Sequence, residues 1–197
     1  ETQLGDQVNW APLYTLDLSQ ITGEGFSQVP EQIVNDLGDA LANVGFIYAE
    51  NHGLSYDQVL RQYSVGQHTF DKIPQKDKED FTADIVNTGS YCGYKQAGHW
   101  KIENVADRIE QWNFGSAAYQ RDVADKKYPK SIQPFLDEIH DFARFNHDVV
   151  ARKILSALSL VLKVPYDYLW NLSKNYETEG DDFLRYMLVN KPPKEDD

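Results

Sequence analysis

Apolar residues at Ile33, Leu37, Leu41 and Val44 recur at intervals of four, four and three, the stripe of an amphipathic helix starting from Pro30. Proline suits that first turn, because the N–H it lacks has no helical partner there. The period breaks at Gly45, and Phe46-Ile47-Tyr48-Ala49 follows as a strand-type run closed by Asn51-His52-Gly53. Upstream, Leu13 to Leu18 predicts a strand with Leu16 and Leu18 on one face and Asp17 on the other. Downstream, Ser55 has the chemistry of an N-cap, with Asp57 and Gln58 in the first turn. Val59, Leu60, Tyr63 and Phe70 then predict a helix of about four turns.

The second half alternates punctuation with periodic segments. Pro74 opens a short charged helix, and residues 87–101 form a Gly- and Tyr-rich loop of the kind that carries recognition. A turn over Asn104–Glu110 leads to a strand at Gln111–Phe114. The longest periodic segment, about 131–164, includes Phe135, Ile139, Phe142, Val149, Ile154, Leu158 and Val161, and predicts one long helix lying on a sheet. Pro165 ends it, Tyr166–Leu172 adds a short helix, and Phe183–Val189 is the last strand. The class is α+β, with helices packed on a sheet. Without repeat or linker, residues 1–197 are expected to form a single unit.

Composition narrows the function. Hydrophobic content of 41% suits a packed core, and a net charge of −12 disfavours nucleic acid and anionic membrane surfaces as partners. No apolar run approaches the ~20 residues of a membrane-spanning helix. Cys92 is the single cysteine, so no disulfide forms within the chain and a cytoplasmic location is expected.

Several stretches, in order, carry a resemblance. "LANVGFIYAENHGLS" at 41–55, Leu13–Ser19, "FDKIPQKDK" at 70–78, Gly93-Tyr94-Lys95, Asp107–Glu110 and "DDFLRYMLVNKPP" at 181–193 are involved. Together they resemble the N-terminal region of the isopenicillin N synthase-like non-haem iron, 2-oxoglutarate-dependent dioxygenases, fungal type. The resemblance implies helices on a partial jelly-roll (double-stranded β-helix) sheet, ending before the iron-binding part. Fe(II) and 2-oxoglutarate are implied only for a complete family member. It further implies a small-molecule substrate, and either a complementary polypeptide or self-association.

A facial-triad iron site takes two imidazoles and one carboxylate, which the resembled family supplies as His-x-Asp and a distant second His. None of the five histidines here has a carboxylate two residues on, so no metal site and no catalytic residue is expected in this chain. Nor does any arginine carry the Arg-x-Ser pattern with which that family grips its co-substrate. What carries over is a pocket wall: Tyr94 and Asn113 on the substrate side, and Arg185 for an acidic substrate. Asp107 and Glu110 read as a solvated cap, and Cys92 as an inert small hydrophobe. Two functions follow. One is the N-terminal portion of an Fe(II)/2-oxoglutarate-dependent oxidoreductase, inactive alone, acting on a small secondary-metabolite-type compound. The alternative is a truncated metal-free relative that binds a small molecule, supports a partner or steers a metal-independent rearrangement.

Overall fold

Helix caps and glycine breaks divide the chain much as the pattern predicts. The structure, a computed structural model, describes residues 11–115, 126–173 and 182–191. In order the elements are β1 (Tyr14–Asp17), α1 (Glu31–Asn43), β2 (Ile47–Glu50), α2 (Tyr56–Asp71), α3 (Gln75–Glu79) and α4 (Ile85–Thr88). They continue with β3 (Gly93–Lys95), β4 (Lys101–Ile102), β5 (Val105–Ala106), β6 (Ile109–Gly115) and α5 (Leu136–Phe145). The π-helical turns Asn146–Ala151, α6 (Arg152–Val161), α7 (Tyr168–Ser173) and β7 (Phe183–Val189) complete it. No described helix is long and apolar enough to cross a membrane. By its contacts the chain divides into two compact units, residues 1–54 with 146–174 and residues 55–145 with 175–197.

In the first unit β1 and β2 pair in parallel, Tyr14 opposite Ile47 and Asp17 opposite Glu50. Parallel strands need a crossover, and α1 supplies it. Asp17 accepts hydrogen bonds from Ser19 N–H and from Asn51 Nδ2, each at 2.9 Å. Led by the bonds from Ser19, these hold its carboxyl well below the usual range. The core gathers Leu16, Leu18, Ile21, Ile33, Leu37 and Ala157. Leu41 departs from the predicted stripe: it is 43% exposed and Ala40 is buried instead. The reason is packing, since α6 lies on α1 where Gly38 leaves room for Val161. Phe46, expected in the second strand, precedes it and is exposed.

In the second unit Ser55 caps α2 through a reciprocal box, its Oγ accepting Gln58 N–H while Gln58 Oε1 accepts Ser55 N–H. β6 is central in a three-stranded antiparallel sheet of order β3-β6-β7, and β4 and β5 form a separate hairpin. The core joins Val65, Phe70 and Ile73 to Tyr94, Trp112, Phe114, Tyr128, Ile132, Leu136 and Ile139.

The segment 131–164, expected as one long helix, is helical from Gln133 to Val161 but is not one regular α-helix. A 3-10 turn at Gln133–Phe135, containing Pro134, precedes α5, and π-helical turns separate α5 from α6. α6 ends at Val161, with Lys163 at φ +59°. The apolar stripe is also shared between two cores: Leu136 and Ile139 serve one unit, and Ala157 the other.

Candidate functional site

β6 carries the residues to which the site candidates relate, because strand alternation sends successive side chains to opposite faces. One face holds Glu110, Trp112 and Phe114 of β6, with Tyr94 opposite Trp112 and Tyr186 on its other side. This face is the core. Tyr94 is fully buried and tilts against Trp112, ring centroids 5.1 Å apart. Tyr186 packs on the α2 turn at Gly66, where a Cβ would lie 3.3 Å from its ring, and its hydroxyl donates to Gln62 Oε1 at 2.6 Å.

A polar network closes the end of this face. Glu110 Oε2 accepts Lys78 Nζ at 2.9 Å and Tyr94 OH at 2.7 Å, while its Oε1 accepts Asn190 Nδ2 at 3.1 Å. Burial works against the Glu110 carboxylate, but those three bonds outweigh it and its pKa falls below the ordinary value. Burial, then the bond to Glu110, pushes the Tyr94 phenol well above its usual range.

On the opposite face stand Lys95 of β3, Gln111 and Asn113 of β6, and Arg185, Met187 and Val189 of β7. Lys95, 2% exposed, donates to Asp107 Oδ1 at 2.6 Å and to the Ile109 carbonyl at 2.8 Å. Asp107 also accepts the N–H groups of Ile109 and Trp100. Asp107 and Glu110 are therefore no solvated cap. Each carboxylate is the partner of a buried lysine, and the sequence concealed this because the lysines lie 12 and 32 residues away.

Asn113 and Arg185 are register partners. Arg185 Nε donates to Asn113 Oδ1 at 2.5 Å, and Asn113 has no exposed surface. Of the three substrate-side candidates the sheet thus brings Asn113 and Arg185 together on one face and carries Tyr94 on the other. Asp181, one acid near Arg185 in sequence, lies outside the described residues. A cleft of about 550 Å³ opens along the edge of β7, lined by Leu184 to Leu188 and by α2 residues including Gln62, Tyr63 and Gly66. Tyr128 is a buried contributor that the sequence did not single out: its hydroxyl donates to the Asn113 carbonyl at 2.8 Å and lies 3.1 Å from Cys92 Sγ.

The described histidines do not fit an iron centre. His52 Nδ1 accepts Leu54 N–H, His68 is tilted against Phe135, and His99 meets Trp100 edge-on. His140 lies 3.8 Å from Asp141, and His147 sits between Asp148 and the Ser173 carbonyl. Among the described residues no three His, Cys, Asp or Glu side chains converge as a metal ion requires.

Comparison with known proteins gives a family match. Residues 13–134 match the family described as non-haem dioxygenase in morphine synthesis N-terminal. A homoarginine-6-hydroxylase of Arabidopsis thaliana is 24% identical over 174 residues, 83% of this chain and 49% of that protein. The leucoanthocyanidin dioxygenase of Vitis vinifera is 27% identical over 154 residues, 75% of this chain and 41% of its own. The chain spans about half the length, or less, of these curated relatives. Among solved structures, the full-length Neurospora crassa protein in complex with alpha-KG superposes with TM-score 0.66 at 14% identity, covering 89% of this chain and 53% of that one. A 2OG-Fe(II) oxygenase family protein from Caulobacter crescentus gives 0.61 at 16% identity, covering 82% and 52%. These likenesses show the fold.

Proposed function

Because the chain belongs to the non-haem dioxygenase N-terminal family, we propose that it is the N-terminal portion of an Fe(II)- and 2-oxoglutarate-dependent oxidoreductase acting on a small organic metabolite. The observation that carries this reading is the family match, which covers residues 13–134 and takes in β3 and β6 of the three-stranded sheet. In this reading iron and co-substrate are held by residues outside the chain, since the side chains described here do not fit them. The β3-β6-β7 sheet is part of a jelly roll, continued, at the edge of β7 that is unpaired among the described residues, by a complementary polypeptide, by the same protein or by a second copy.

This chain's own contribution is a wall. The face of Asn113 and Arg185 is the substrate side, and Arg185 is its cationic group. Tyr94 acts from behind: tied to Glu110, it stiffens β3 against β6 rather than touching substrate. No proton transfer or bond cleavage falls to these residues.

The test is oxygen and 2-oxoglutarate consumption by the complete product of the coding frame, with and without a chelator. Consumption that stops on chelation is expected, together with no charge-transfer band when residues 1–197 alone are titrated anaerobically with Fe(II) and 2-oxoglutarate. Chelator-insensitive turnover by residues 1–197 would overturn the reading in favour of a metal-free relative.

A further inference from the structure

Asn113 and Arg185 use little of their polar capacity. Asn113 is completely buried, yet among the described residues its Nδ2 has no hydrogen-bond partner. An unmet buried donor is destabilising, and a β-branched residue suits a strand position better. The bond that offsets this cost is the one from Arg185 Nε.

That bond has a geometric consequence. A guanidinium is a flat fork of five donors, and anchoring Nε on an immobile acceptor fixes the plane of the fork. The other four donors lie on Nη1 and Nη2. Among the described residues they meet no acceptor, although the chain carries thirty-one acidic residues. Arg61 shows the satisfied alternative in the same unit, laying Nε and Nη2 on Glu138 at 2.7 and 3.0 Å. Arg185 is instead exposed, oriented and unspent.

Its neighbours along β7 on this face are apolar, and Gln111 of β6 stands opposite Met187. Met187 and Val189 follow at two-residue steps, about 6.6 Å apart each, and are 54% and 60% exposed. Arg185 and Met187 also border the cleft along β7, where Asp71 is already engaged by Gln67 Nε2 at 3.0 Å.

We propose that Arg185, held in plane by Asn113, recognises the carboxylate of a small organic acid whose apolar body lies along Met187 and Val189. Arg185 is the contact, through two parallel N–H···O bonds. Asn113 has no surface to offer a ligand and is a positioning residue. The inference rests on the reading of this face as the substrate side and specifies the substrate class.

The test follows the Arg185 Nε–H resonance by NMR in the whole chain, assigned by its loss in Arg185→Lys. Phenylacetate is the probe, with phenylacetamide as the neutral isostere. A saturable shift with the acid and none with the amide is expected, weakened about tenfold or more in Arg185→Gln, as loss of a charge-assisted pair requires. In Asn113→Val binding weakens less, and the Nη resonances broaden as the released fork rotates, a change that a merely structural role for Asn113 would not give. Equal response to acid and amide, an undiminished response in Arg185→Gln, or no response at all would overturn the proposal. Acid binding without 2-oxoglutarate consumption by the complete protein would count against the oxygenase reading alone. Consumption without acid binding would count against this inference alone.

Discussion

Lys78 Nζ lies 2.9 Å from Glu110 Oε2, with the two side chains only 7% and 14% exposed. A buried pair contributes little over an apolar substitute, but removing one member strands the other without solvent. Here Tyr94 OH and Asn190 Nδ2 also depend on Glu110. Glu110→Gln is therefore expected to cost about 3–5 kcal/mol in urea denaturation. The double variant Lys78→Met/Glu110→Leu should recover only the part due to the stranded lysine, because Tyr94 OH and Asn190 Nδ2 still lose their acceptor. A loss below about 1 kcal/mol, the worth of an exposed pair, would refute this account.

The same carboxylates set the acid limit. Glu110 and Asp107 both have folded pKa values below their ordinary 4.5 and 3.8, burial opposing the shift and hydrogen bonds overcoming it. A depressed folded pKa means that the unfolded chain binds the proton more readily. The stability these groups give is thus complete above about pH 4.5–5 and is lost as pH falls through the folded values. Urea midpoints should be nearly flat from pH 6 to 5 and drop below that, on the order of the range in which free carboxylates titrate. The drop should be shallower in Glu110→Gln. An equally steep drop in that variant would remove Glu110 from the explanation.

These residues also mark where the sequence stopped being informative. The cap at Ser55, the helix from Pro30 and the break at Gly45, with φ +83°, were legible because each depends on neighbours within four or five residues. Some strand runs were legible too, Leu13–Leu18 and the apolar Phe183–Val189, but β3 to β5 form where a loop and a turn were expected. Pairing was not. Tyr94 sits on the core face because β3, only three residues long, aligns Gly93 with Asn113, a register fixed across twenty residues. Asn113 and Arg185 meet across 72 residues, and Lys78 finds Glu110 across 32. A lone lysine in a charged stretch reads as solvated, and only the assembled sheet shows Lys78 and Lys95 buried.

At the alkaline end the phenols dominate. Burial raises both Tyr94 and Tyr186 well above the usual 10.0, helped in turn by the bond to Glu110 and by the charge of Glu138. A raised folded pKa gives stability that is whole below the unfolded value and is lost as pH climbs past it. In an absorbance titration, Tyr94 and Tyr186 should be among the groups that ionise only as the chain unfolds. Tyr94→Phe and Tyr186→Phe should each remove one late-titrating group. An unchanged number of late groups in either variant would contradict the assignment.

Gly93 tests how tightly the strand bearing Tyr94 is seated. Its φ of +118° lies where side chains are rarely tolerated, and a Cβ there would come within 2.8 Å of the Phe81 carbonyl oxygen. That oxygen already accepts Tyr94 N–H at 2.9 Å, and Ala83 N–H donates to the Tyr94 carbonyl at 2.8 Å. The clash is with backbone held by its own bonds, so no rotamer change relieves it. Strain and a broken bond together predict a loss of roughly 2–4 kcal/mol for Gly93→Ala. Gly89 is the control: it has φ +70°, but nothing lies within 4 Å of the added carbon. Its alanine variant should show backbone strain alone, about 1–2 kcal/mol. The gap between the two urea midpoints measures the close approach of β3 to Phe81. Equal losses at Gly89 and Gly93 would mean that backbone conformation, and not this contact, makes glycine necessary beside Tyr94.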